Sequence, residues 1–249
     1  MSKNLKIRLD QLLVNKKLVS SKSKAQSMIM AGQVTVNDDV ITKSGIGIKE
    51  DSKIIIKKLH PTWVSRGALK LLKAIETFEV KIQNKICLDI GSSTGGFTEV
   101  LLKNKAKKIF AIDVGTNQLH EKLKKEKNII SIENFNAKYI NNTVVTEKID
   151  LIVCDVSFIS LKKVIYPSLN LLSKNAEIIA LIKPQFETQK ANLRKGVVKN
   201  SSVHIEICKD IENWFTNICN AKVFGITKSP ITGSKGNIEF LIYSRLNIS

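Results

Sequence analysis

The chain has 249 residues, 43% of them hydrophobic and 25% charged. That is enough apolar material for a folded core without disulfide or metal staples, and too much for a disordered polymer. Forty Lys and Arg against twenty-two Asp and Glu leave a net charge of +18, so a polyanion is the expected partner, nucleic acid before an anionic membrane surface. No run approaches the ~20 apolar residues of a spanning helix, and Met1–Lys6 leads into no secretory h-region. Cys87, Cys154, Cys208 and Cys219 lack zinc-site spacing and suggest no disulfide framework, so a reduced cytoplasmic protein without a metal is expected.

The charge is uneven. Residues 1–64 carry a net +7 and the remaining 185 residues +11, about twice the density at the front. Leu9, Leu12, Leu13 and Val14 make an apolar helical face after Arg8. A second helix is predicted from Ser21 to Met30, with Ala25, Met28 and Ile29 inward and Gly32 as its stop. Gln33–Asn37 alternates as a strand, Asn37-Asp38-Asp39 is a turn, and Val40-Ile41 and Lys53–Lys57 continue as strands around Gly45 and Gly47. This helix-helix-strand-turn-strand unit resembles the S4 RNA-binding domain. The matching residues are Arg8–Leu13, Ser23–Gln26 and Ala31–Asn37. The resemblance implies phosphate-facing roles for Arg8, Lys16, Lys17, Lys22 and Lys24. Taken singly, each lysine is equally an ordinary solvated charge.

Residues 60–64 read as a linker between domains at 1–59 and 65–249. Pro61 biases His60 toward extended backbone, and Trp63 packs either between the domains or in a core. Ser65 is a candidate N-cap for a helix reaching Phe78. Strands are predicted at 86–90, 109–113, 129–132, 149–155, 177–183, 222–228 and 238–244. Helices are predicted at 96–104, 117–126, 160–173 and 202–219. Strand–helix alternation of this length indicates an α/β domain with a mostly parallel, Rossmann-like, doubly wound sheet of seven strands.

Where the first of these strands turns into a helix stands Leu88-Asp89-Ile90-Gly91-Ser92-Ser93-Thr94-Gly95-Gly96-Phe97. Its G-x-x-x-G-G spacing is not that of a dinucleotide site, and Asp89 before the turn suits an amine-bearing or cationic ligand better than a phosphate. S-adenosylmethionine fits, with Asp89, Gly91, Ser92, Thr94, Gly95, Gly96 and Phe97 around it. Asp113, ending the next strand, is placed for both ribose hydroxyls. Asn136 follows the third strand near the adenine edge. Asp113 has a second reading as a helix N-cap.

Asp155 and Lys183 end neighbouring apolar strands, where a charge is costly unless paired or aimed at a ligand. Lys70 sits on the helix after the linker and Glu239 opens the last strand; each alone reads as a surface charge. Together with Trp63–Gly67, Asp89–Leu102, Asp155–Leu161, Lys183–Glu187, Gly196–Val198 and Ser229–Glu239, they identify the chain as resembling the TlyA family, once called hemolysin-like. That family joins an S4 domain to an FtsJ-type methyltransferase. The resemblance implies a Lys70–Asp155–Lys183–Glu239 tetrad for 2′-O-methylation of a cytidine ribose in small- or large-subunit rRNA. It also implies S-adenosylmethionine as cofactor (Asp155 bordering it as well), Arg66 near the RNA, and ribosomal subunits as partner to a monomer. Lys183 is the expected base, with its pKa lowered by Lys70 and by burial. Two other readings stay open on the residues alone: a non-catalytic ribosome-assembly protein and a membrane-active protein. Pseudouridine synthases share the S4 module but need no glycine-loop site.

Overall fold

In a computed structural model, which describes residues 6–30, 32–56 and 63–246, Leu9, Leu12 and Leu13 lie on the buried side of helix α1. The chain divides between Thr62 and Trp63 into two units. In the first, β1 (Lys6–Arg8) runs into α1 (Leu9–Asn15), followed by α2 (Lys22–Met30), β2 (Val34–Val36), β3 (Asp39–Ile41), β4 (Gly47–Lys49) and β5 (Ile54–Ile56). Ala25 and Ile29 of α2 join Leu9, Leu13, Val19, Val34 and Val36 in one core. Strand β2 is central, antiparallel to β3 and β5. Asn37 and Asp38 connect β2 to β3 with φ of 51° and 72°, the left-handed pair that a two-residue hairpin demands. Strand β1 was not expected from the sequence: three residues carry no periodicity, and the strand exists only because β4 pairs with it.

The second unit runs α3 (Ala68–Phe78), β6 (Ile86–Ile90), α4 (Gly96–Lys103), β7 (Lys108–Ile112), α5 (Glu121–Lys124), β8 (Ile129–Ile132), β9 (Ile149–Cys154), α6 (Lys162–Ser168), β10 (Leu172–Ile182), α7 (Pro184–Glu187), α8 (Ser201–Asn217), β11 (Ala221–Lys228) and β12 (Phe240–Leu246). The sheet order is β11-β12-β10-β9-β6-β7-β8. Strand β12 is antiparallel to both neighbours, and β10, β9, β6, β7 and β8 are parallel. The mostly parallel seven-stranded α/β sheet is therefore as expected.

Successive strand residues serve opposite faces. Leu88, Ile90, Ile152, Cys154, Ile178 and Ala180 pack with Val164 and Ile165 of α6 and Ile207, Ile211 and Phe215 of α8. Cys87, Leu151, Val153, Ile179 and Leu181 pack with Ala68 and Leu71 of α3 and Phe97, Val100 and Leu101 of α4. Each fully buried Leu or Ile contributes roughly 1.5–3 kcal/mol, so the strands, apolar on both faces, form the rigid floor on which polar strand ends are held.

Four local expectations change. The helix expected at 117–126 is the single turn α5, because Asn117 is left-handed, with φ of 59°, and His120 is extended, with ψ of 136°, so the backbone turns helical only at Glu121. The helix expected at 160–173 is α6, with Pro167 in its last turn, continued by a 3₁₀ turn over Leu169–Leu171 and stopped where β10 begins at Leu172. Ser65 does not cap α3; its Oγ accepts the Gly67 N–H at 3.1 Å and the helix begins at Ala68. Of the linker, His60, Pro61 and Thr62 lie outside the described residues. Trp63 and Val64 belong to the second unit: Lys103 Nζ sits 4.0 Å from the Trp63 ring centre, and the Val64 N–H donates to Glu99 Oε2 at 2.7 Å.

Candidate active site

Strands β6 and β9 are neighbours, but the chain leaves them in opposite directions across the sheet. That is the switch point where open α/β sheets bind ligands, beyond the carboxyl ends of the strands. Gly91 follows β6 and Asp155 follows β9, with the Asp155 N–H bonded to the Ile90 carbonyl at 3.0 Å. Gly91 has φ of +83°, and a Cβ there would stand 2.7 Å from the Asp155 carbonyl oxygen, so only glycine lets the two strand ends meet.

Two cavities open at this edge. One, of about 760 Å³, is lined by Gly91, Ser93, Asp113, Val114, Phe135, Asn136, Asp155, Val156, Ser157 and Phe158 among others. The other, of about 460 Å³, is lined by Arg66, Lys70, Gly91, Ser92, Ser93, Gly96, Phe97, Asp155, Ser157, Lys183 and the loop Ile231–Ser234. They share Gly91, Ser93, Asp155 and Ser157. Such a pair suits an elongated ligand with an aromatic end and a charged end.

The acids expected around that ligand are differently engaged. Asp89 is fully buried, with Oδ2 accepting from Thr98 Oγ1 at 2.6 Å and Oδ1 without a partner. Burial, opposed by the Thr98 hydroxyl and reinforced by Asp155 and Asp113, pushes its pKa up to about 7. An unpartnered carboxylate oxygen beneath the glycine loop fits a ligand bearing an amine. Asp113 accepts the Ser93 N–H (2.8 Å) and the Gly115 N–H (2.7 Å), which shapes the loop and leaves each oxygen a further lone pair for hydroxyls. Asn136 uses Oδ1 on the Lys138 N–H and keeps its amide NH₂ at the first cavity. A carboxyl whose folded pKa lies above its unfolded value of 3.8 stabilises the protein fully below that value and ceases to do so as pH rises through about 7. Wild type is therefore expected to lose stability against Asp89→Asn between about pH 4 and 7, with no further divergence above. Urea unfolding of both proteins at intervals across that range checks it.

Not every residue of the glycine loop borders a cavity. Thr94 and Gly95 do not, and the fully buried Asp89 lies beneath the loop and lines neither cavity. Gly95 is needed for packing: with φ of +96°, a Cβ would come within 2.3 Å of Leu123 Cδ1. Gly96 faces α3, where a Cβ would lie 2.4 Å from Ser65 Oγ. Ser92, Gly96 and Phe97 border the second cavity.

The four expected polar residues converge at the second cavity: Lys70, Asp155 and Lys183 line it, and Glu239 lies behind them against Lys70. Lys70, on the first turn of α3, is 8% exposed; its Nζ donates to Glu239 Oε2 at 2.8 Å and to Asp155 Oδ2 at 3.2 Å. Lys183 Nζ lies 2.6 Å from Asp155 Oδ1, an ion pair without hydrogen-bond angles, and donates to Ser157 Oγ at 2.9 Å. Asp155 thus bridges two lysines, and Glu239, 2% exposed, holds one of them. Burial alone would lower the Lys70 pKa, but Asp155 and Glu239 outweigh it and the net shift is upward. Lys70 is a fixed cation, the reverse of a lysine poised to lose its proton.

Three contacts were not anticipated. Ser157 lay in a recognised motif, but its service to Lys183 needs the fold. Gln185 Nε2 reaches Glu239 Oε1 at 3.5 Å. Glu187 accepts from Ser160 Oγ and the Leu161 N–H, both at 2.6 Å, tying the segment after Lys183 to the segment after Asp155.

In the front unit, Lys16, Lys17, Lys22 and Lys24 are exposed. Arg8, its side chain half exposed, is also a structural partner: Nε and Nη2 donate to both oxygens of the buried Asp10, which also accepts from Gln26. This pairing holds the Asp10 carboxyl far below the usual range. Arg66, in the second unit, is exposed on the rim of the second cavity.

Comparison with known proteins follows the same division. Residues 63–246 match the family described as FtsJ-like methyltransferase, and residues 7–54 match the S4 domain. The chain is 43% identical to Hemolysin A of Brachyspira hyodysenteriae, over 95% of this chain and 99% of that one. It is 33% identical to the 16S/23S rRNA (cytidine-2′-O)-methyltransferase TlyA of Mycobacterium tuberculosis, over 96% and 89%. A solved structure of a Streptococcus thermophilus protein carrying a hemolysin name is 35% identical, covers 99% of this chain and 90% of its own, and superposes with a TM-score of 0.76.

Proposed function

Since the chain belongs to the FtsJ-like methyltransferase family and carries an S4 domain ahead of the methyltransferase fold, we propose that it methylates a cytidine ribose 2′-oxygen of ribosomal RNA with S-adenosylmethionine as donor. The observation that carries the reading is the convergence of Lys70, Asp155, Lys183 and Glu239 at a cavity that shares a wall with the cofactor-sized one.

S-adenosylmethionine, when bound, supplies a methyl group already activated by its sulfonium charge. Asp89, Gly91, Asp113 and Asn136 would hold it, through the unpartnered Asp89 oxygen, the close backbone at Gly91, the Asp113 lone pairs and the Asn136 amide. The remaining task is to take a proton from a weakly acidic hydroxyl. Lys70 keeps its proton between two carboxylates, so it serves as a fixed positive charge beside the developing alkoxide. Lys183 has one carboxylate and one hydroxyl where Lys70 has two carboxylates, and it is the group assigned, as the free amine after giving up its own proton to solvent, to receive the hydroxyl proton at Nζ. Asp155 orients both lysines, and Glu239 fixes Lys70. Positioning of hydroxyl, methyl and base supplies most of the rate.

The exposed lysines of the S4 unit and Arg66 on the cavity rim supply phosphate contacts, with the net charge of +18 behind them. Among the described residues no helix is long and apolar enough to cross a membrane. The reading places a single copy of the chain in the cytoplasm with ribosomal subunits. Mapping ribose methylation in rRNA from cells with and without the gene tests it. A cytidine that loses its 2′-O-methyl group in the deletion and regains it on complementation supports the reading; identical maps overturn it.

A further inference from the structure

Asn237 stands two residues before Glu239 and is 1% exposed. Its Nδ2 donates to the carbonyls of Gly196 (3.0 Å) and Ser234 (3.1 Å), and its Oδ1 accepts the Val198 N–H at 3.2 Å. Its own carbonyl accepts the Gly233 N–H at 2.8 Å. One buried amide therefore joins two loops by their backbones. One loop is the turn closed by the Arg194–Val197 bridge. The other contains Ile231–Ser234, a wall of the catalytic cavity.

The second loop presses on the tetrad. A Cβ at Gly233 would lie 2.0 Å from Glu239 Oε1, so backbone and carboxylate are in contact there with no room to spare. Where the Asn237 side chain holds Ser234, the adjoining Gly233 is kept against the Glu239 carboxylate, and Glu239 Oε2 is what Lys70 donates to at 2.8 Å. A buried polar side chain satisfied by three backbone partners is costly to disturb.

We propose that Asn237 is a positioning residue for methyl transfer: its side chain fixes the Ser234 carbonyl, and with it the adjoining Gly233 backbone that confines the Glu239 carboxylate holding Lys70. It acts through these groups and does not touch the reacting atoms. The proposal rests on the reading of the tetrad given above. The same structure provides a control, since the Arg194–Val197 turn has a second anchor in His204, whose Nε2 is 3.0 Å from the Val198 carbonyl oxygen. That anchor reaches the turn without reaching the Gly233 loop.

The test compares the full-length wild type, Asn237→Ala, Gly233→Ala and His204→Gln. It measures kcat and KM with ribosomal subunits, Kd for S-adenosylmethionine, and the titration of Lys70 by NMR of ¹³C-labelled lysine. Asn237→Ala and Gly233→Ala should each lower kcat roughly 10- to 100-fold, with KM and Kd within about threefold. In both, the Lys70 titration should move to lower pH, because one of its two carboxylates is displaced. His204→Gln should leave kcat and the Lys70 titration near wild type. Gly233 has φ of −76°, which alanine adopts freely, so that variant keeps the proposal testable if Asn237→Ala does not fold. Unchanged kcat and Lys70 titration in Gly233→Ala, or an equal loss in His204→Gln, would overturn the proposal. A wild type with no methyl transfer would instead sink the functional reading, while the Lys70 titration would still decide whether Asn237 positions Glu239.

Discussion

Lys183→Ala is expected to slow methyl transfer roughly 10²- to 10⁴-fold, the usual contribution of a positioned general base, while S-adenosylmethionine binds with a Kd within about threefold of wild type. The reason lies in what Lys183 touches: Asp155 Oδ1 at 2.6 Å and Ser157 Oγ at 2.9 Å, both at the junction of the two cavities. Neither contact belongs to the Asp89 or Asp113 side of the site, so cofactor binding should survive. Lys183→Arg separates two roles. A guanidinium keeps the ion pair with Asp155 but does not give up its proton in this pH range. If Lys183 receives the proton, the arginine variant is as slow as the alanine variant. If it is only a cation, the arginine variant recovers most of the rate. Single-turnover transfer with saturating cofactor and pre-bound subunits reads the difference without interference from product release.

Lys70→Ala is expected to destabilise the fold as well as stop the reaction. It leaves Glu239, with a side chain 2% exposed, and one oxygen of Asp155 without their cation. Breaking a buried ion pair from one side costs about 3–5 kcal/mol, most of it the penalty of a stranded charge. The double variant Lys70→Met with Glu239→Gln removes both charges. It should recover most of the lost stability and none of the activity. In wild type the Lys70 pKa is raised from 10.5, so its contribution is complete below that value and is lost only as pH rises through the folded value. Urea midpoints of the three proteins at two pH values test the stability argument separately from catalysis. Equal stability of wild type and Lys70→Ala would contradict it.

Much of this site was legible before any coordinates. The glycine loop, Asp89, Asp113, Asp155 and Lys183 all sit at the ends of strands whose apolar runs are plain in the sequence, and strand ends at one sheet edge meet in space. Lys70 and Glu239 were different. Each reads alone as an ordinary surface charge, and only the resemblance to a family with such a tetrad singled them out. What stayed hidden depends on partners distant in the chain. Strand β1 is made by β4, and α5 starts only at Glu121 because Asn117 and His120 are held out of the helical conformation, with the loop amides of Asn117 and Leu119 tied to the distant Glu133. Arg8 looked like a free cation because nothing local shows that Asp10, two residues on, is buried and needs both of its guanidinium bonds. Gly95 looked like part of a ligand cradle, but its missing side chain makes room for Leu123 and Leu119. Asn237 lay in a matching segment, as did Gly196 and Val198, but nothing in the sequence paired them, since these partners are some forty residues away.

The central claim is that these side chains activate a sugar oxygen and not a base. A methyl group on a ribose 2′-oxygen blocks alkaline cleavage of the adjoining phosphodiester, so tritium from labelled S-adenosylmethionine can be located by alkaline digestion of rRNA treated with the purified protein. The account predicts label in alkali-resistant dinucleotides, lost with Lys183→Ala. Label recovered in single nucleotides, carried on a base, would contradict it.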